Sequence, residues 1–114
     1  MKYKIFQIHL TDEEVDKINQ FESHLVVAKQ VVRMKLLSVD KVAEKAKEAL
    51  AENFYDHVAN IEAEGLESVF EIGNVGPEEN IERFGPMSSI SVGDVIEDEE
   101  ENKFAVAMFG FEQL

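Results

Sequence analysis

Two apolar stretches near the end of the chain constrain its fold more than any other feature. Ser88-Ser89-Ile90-Ser91-Val92-Gly93-Asp94-Val95-Ile96 and Lys103-Phe104-Ala105-Val106-Ala107-Met108-Phe109-Gly110-Phe111 are separated by the polar residues 97 to 102. Both are rich in β-formers, which predicts a hairpin whose connection is too long for a two-residue turn and too polar to be buried. Along the second stretch Phe104, Val106 and Met108 fall on one side, and Ala105, Ala107, Phe109 and Phe111 on the other. Neither side is polar. Such a strand belongs inside a sheet covered on both faces, or lines a small barrel or a subunit contact.

Upstream, residues 2 to 10 alternate Phe6, Ile8 and Leu10 against Tyr3 and Ile5, the pattern of a first strand. Thr11-Asp12-Glu13-Glu14 has the form of a capping box, with Leu10 and Val15 at the staple positions, and predicts a short helix over 12–19. A second helix is expected over 22–37 from Leu25, Ala28, Val32 and Leu36. A third is expected over 39–53, where Val42, Ala43, Ala46, Ala49 and Leu50 share a face. Residues 54–63 read as a strand with one apolar side. From Gly65, Leu66, Val69 and Phe70 form a further helical face, with Gly73-Asn74 as its stop. Gly76-Pro77 marks a loop, and residues 81–84 a brief strand. The sum is an α+β domain spanning 1–114, in which three to four helices pack on an antiparallel sheet that includes a C-terminal β-hairpin.

With 114 residues, 45% of them hydrophobic, the chain can bury one modest core. Cysteine is absent, so disulfides and thiolate chemistry are excluded. No run reaches the length of a membrane span, and a soluble, cytoplasmic protein with no membrane partner is expected. The net charge of −13 is unevenly placed: residues 1–50 carry +1 and residues 51–114 carry −14. Acidic density of that kind repels phosphate backbones, so no direct nucleic-acid binding is expected, while a basic groove would be attracted.

Leu66-Glu67-Ser68-Val69-Phe70-Glu71-Ile72-Gly73-Asn74, the stretch Ser89-Ile90-Ser91-Val92-Gly93-Asp94-Val95-Ile96 and the closing Phe109-Gly110-Phe111 together form a familiar set. They resemble the small YodL-like domains carried by plasmids, phages and conjugative elements. In those domains a similar helix precedes a Ser-x-Ser-Val-Gly-Asp-Val-Ile strand and a terminal Gly-Phe. The resemblance covers the last half of the chain and implies a mobile-element accessory protein. It brings no catalytic residues with it.

Chemistry is hard to find in the residues themselves. His9, His24 and His57 lack the spacing that puts two imidazoles on one helix face, so no metal site and no cofactor is expected. Glu97, Asp98, Glu99, Glu100 and Glu101 lack the alternating ligands and central glycine of a calcium loop, and read as a solvated hairpin tip. Gly73-x-x-Gly76 is not a phosphate loop, and Ser88, Ser89 and Ser91 have no evident base partner. Gly93 predicts a bulge or a positive-φ turn, with Asp94 accepting from amides that the bulge leaves free.

The function expected is a non-enzymatic protein–protein interaction module with a protein partner or a second copy of itself. Phe104, Val106, Met108, Phe109 and Phe111 are the candidate apolar interface. The alternative is a DNA mimic that inhibits a host restriction, CRISPR or other nucleic-acid-binding defence protein. It would use Glu97 to Glu101 together with Glu62, Glu64, Glu67 and Glu71. A second alternative is an enzyme whose site converges only in three dimensions.

Overall fold

The computed structural model describes residues 1–8, 42–108 and 110–114. Strands β1 (Lys2–Gln7), β2 (Asp56–Glu62), β3 (Ile81–Arg83), β4 (Val95–Glu97), β5 (Lys103–Val106) and β6 (Phe111–Gln113) form one antiparallel sheet in the order β3-β2-β1-β4-β5-β6. Among the described residues, helix α1 (Val42–Ala51), helix α2 (Leu66–Val75) and a 3-10 turn at Glu78–Asn80 accompany it.

Strand alternation gives the sheet two apolar faces. Tyr3, Ile5, Ala59, Ile61, Ile96 and Val106 lie on one and pack with Val69 of α2. Val95 and Ala105, each next in sequence to a residue of that first face, turn the other way and pack with Val42, Ala46 and Ala49 of α1. Among the described residues, one helix therefore covers each face of the sheet. Ile5, Ile61 and Ile96 are fully buried, each worth about 1.5–3 kcal/mol relative to exposure. β5 has the two-sided cover its composition predicts, although it lies second from the edge.

Local chemistry ends both helices. At α1, Asn53 takes a positive φ of 59° and the amides of Asn53 and Phe54 donate to the carbonyls of Leu50 and Ala49, at 3.1 and 3.0 Å. This is a Schellman motif with asparagine in the left-handed position, and Phe54 joins Ala49 in the same core cluster. Helix α2 stops at Gly76, whose φ is 105° and whose amide donates to Ile72. Gly73, expected to be that stop, is instead inside the helix. A Cβ there would sit 2.7 Å from Ile90 Cγ1, so this glycine is a point of close approach.

Three expectations are corrected. The expected three to four helices are two among the described residues, set against a six-stranded sheet; the helices expected over 12–19 and 22–37 and the capping box at Thr11 lie outside the described residues. The Ser88 to Ile96 stretch is strand only from Val95. The stretch from Lys103 to Phe111 is not one strand, because it turns after Val106 and returns as β6, pairing Val106 with Phe111. That reversal brings Phe111 to the same face as Val106, opposite to the parity of a continuous strand. The α+β class and the β4–β5 hairpin stand.

Candidate functional site

The acidic connection between β4 and β5 is held from within. Asp98 Oδ1 accepts the amides of Glu100 and Asn102, both at 2.9 Å, and the Asn102 side chain donates to Asp98 Oδ2 at 3.3 Å. Partial desolvation alone would raise the Asp98 carboxyl, but these donors outweigh it and hold the group below its ordinary range. Glu97 is in β4, buried, and opposite both Lys4 and Lys103 in register. Their ammonium groups lie 3.6 and 3.3 Å from its carboxylate. Only Glu99, Glu100 and Glu101 remain as exposed carboxylates of the tip, and a depression there is lined by Glu97, Asp98, Glu99 and Glu101 together with Lys2 and Lys4.

The other predicted carboxylates are distributed. Glu62 ends β2 and pairs with the Met1 amino group at 2.9 Å, and Glu64 is exposed in the connection to α2. Glu67 and Glu71 lie one turn apart on the outer side of α2.

A different feature emerges where α2 meets the β5–β6 turn. Glu67, Phe70, Val106, Ala107, Met108, Gly110 and Phe111 line a cleft of about 280 Å³. Phe70 is 39% and Met108 70% exposed, although both are large apolar side chains. The turn that presents Met108 is closed by the Ala107 amide donating to the Gly110 carbonyl at 2.9 Å, with Gly110 at a φ of 84°. Of the candidate apolar interface, Val106 is buried in the core and Phe104 and Phe111 are half-buried; Met108 is exposed and Phe109 lies outside the described residues. The cleft thus unites Met108, Phe111 and Glu67, which the sequence marked, with Phe70, which it placed on one helical face with Leu66 and Val69.

The Val92-Gly93-Asp94 stretch has a structural role. Gly93 has a φ of 93°. It donates to the Val106 carbonyl at 2.8 Å while the Val106 amide donates to Asp94 O at 2.9 Å, so two residues oppose one in a bulge. Asp94 Oδ2 accepts the Ser91 amide at 2.9 Å and the Gln7 side chain at 3.0 Å. Buried Gln7 also donates to the Ser88 carbonyl and accepts the Ser88 amide, tying the loop before β4 to β1. The Tyr55 hydroxyl donates to the Gly93 carbonyl, and burial pushes this phenol well above its ordinary value, with the Asp94 charge adding to the shift.

His57 is exposed, stacks on Phe6 at 5.1 Å and meets Phe84 edge-on at 5.0 Å; His9 and His24 lie outside the described residues. Among the described residues no group of His, Asp or Glu is placed to hold a metal ion, and no helix is long and apolar enough to cross a membrane. Comparison of the chain with protein-family models, curated proteins and solved structures finds no match.

Proposed function

We propose that this chain is a small, non-enzymatic protein–protein interaction module that receives its partner in the cleft between α2 and the β5–β6 turn. The observation that carries this reading is the exposure of Phe70 and Met108 side by side with a half-buried Phe111, an arrangement that favours an apolar anchor from a partner. The resemblance of the C-terminal half to YodL-like domains supports a cytoplasmic accessory protein of a phage or plasmid.

The test is photo-crosslinking from position 70 and, separately, from position 100 in host lysate at low and high salt. Recognition through the cleft gives a crosslinked protein from position 70 that persists at high salt, because apolar contact is not screened. The rigid turn displaying Glu99, Glu100 and Glu101 favours a second reading, mimicry of a nucleic-acid backbone toward a defence protein. That reading gives the opposite result: crosslinks from position 100 only, lost steeply as salt rises.

A further inference from the structure

We infer that the partner is an extended, basic and apolar protein segment that adds to β6 as a further strand and places alternate side chains in the cleft. This inference rests on the interaction-module reading and names the occupant of the same site.

The first support is the sheet edge. β6 is the last strand in the sheet order, and among the described residues no strand pairs with its outer side. Ala107 donates to the Gly110 carbonyl and Leu114 to the Lys103 carbonyl, both at 2.9 Å, while Glu112 faces Ala105 midway between them. In an antiparallel ladder that alternation turns the backbone groups of Gly110, Glu112 and Leu114 inward, and therefore those of Phe111 and Gln113 outward. An outward row of amides and carbonyls is a template for strand addition.

The second is side-chain placement. Phe111 packs on the face covered by α2, so a strand laid against β6 directs every second side chain to that face, where the cleft opens.

The third is charge. Among the described residues Glu67 is the only charged one lining the cleft, with Glu71 one turn further along α2, so no cation there opposes a basic segment. At a net charge of −13 a second copy of this chain is repelled, whereas a segment whose cleft-facing residues are apolar and whose intervening, outward residues are Lys or Arg is attracted by the chain's overall acidic field.

The probe is an end-blocked peptide of alternating arginine and valine, titrated into the full chain and followed by NMR and amide exchange. A version N-methylated on the amides that would meet β6 and a version with glutamate in place of arginine serve as comparisons. Strand addition predicts shifts at Phe70, Met108 and Phe111, and slowed exchange at the Phe111 and Gln113 amides. It also predicts at least about tenfold weaker binding for the N-methylated peptide, the cost of a lost hydrogen bond or two, and no binding by the glutamate version. Equal binding of the N-methylated peptide with shifts at Phe70 and Met108 overturns strand addition but leaves the cleft as the interaction site. Absence of shifts at the cleft with the arginine peptide overturns the inference, and the crosslinking result from position 70 then decides the broader reading by itself. Protection of the Phe111 and Gln113 amides in the free protein also overturns it: in a dimer the second copy holds the edge, and in a monomer the chain's own residues 9–41 do.

Discussion

β5 has a turn at each end, and the two turns spend their polar and apolar groups in opposite ways. The turn before it, residues 98–102, holds the densest run of carboxylates in the sequence, yet Asp98 is committed to the backbone of Glu100 and Asn102. Glu97 beside it is committed to Lys4 and Lys103. The turn after it has almost no charge, but it leaves Met108 exposed beside Phe70. A group that has satisfied itself inside the fold has little left to offer a partner, whereas an exposed apolar side chain gains free energy only when something covers it. Charge density therefore marks the first turn in the sequence, and unspent surface marks the second in the structure.

The largest effect expected on this contrast comes from Gly73→Ala. Its new Cβ would crowd Ile90, which is buried, and overpacking should cost about 1–3 kcal/mol in denaturant unfolding. Because α2 forms one wall of the cleft, amide shifts should spread to Met108 and Gly110 but not to residues 98–102. Next in size is the double substitution Phe70→Ser with Met108→Ser. It should lower thermal stability only modestly, since Met108 is largely exposed and Phe70 is 39% exposed, and weaken partner binding by at least about tenfold, the range of a lost apolar anchor.

Two titrations pull on the turns separately. The Tyr55 phenol donates to Gly93 opposite Val106, and its folded pKa is raised above the ordinary value of 10. The stabilisation is therefore complete below that value and is lost as pH rises beyond it, so alkaline unfolding should begin earlier in wild type than in Tyr55→Phe. Asp98 is shifted downward, which reverses the sign: its contribution is complete above the ordinary carboxylate pKa and disappears as pH falls through the lower folded one. Acid should therefore lower the protection factors of the Glu100 and Asn102 amides, measured against the intrinsic rate at each pH, while that of the Ala107 amide holds. The smallest effect belongs to Glu99, Glu100 and Glu101 changed together to Gln. These exposed side chains should leave stability unaltered and weaken partner affinity far less than the cleft substitutions, through the weaker overall field alone, as measured by thermal melting and titration calorimetry.

Helix α1 was legible because Val42, Ala46 and Ala49 recur at helical spacing and all three are buried. The strands of residues 2–7 and 56–62 were legible from alternation. The final reversal was not. Met108 and Phe109 carry none of the usual turn chemistry, so only Gly110 signalled it, and a glycine near a strand end has several meanings. One unseen turn inverted the parity of Phe111 and hid β6. Glu97 was hidden differently: its pairing with Lys4 depends on strand register across residues far apart in sequence, which composition does not encode. Phe70 was assigned correctly to a helix, but its exposure depends on where α2 meets the β5–β6 turn, a tertiary contact that helical periodicity does not encode.

The most direct test of recognition through the cleft is chemical-shift mapping of the full chain with the crosslinked partner or the arginine-valine peptide. The prediction is that shifts centre on Phe70, Met108, Gly110 and Phe111, with the signals of Glu99, Glu100 and Glu101 unmoved. Shifts centred on those three glutamates, with the cleft silent, would contradict it.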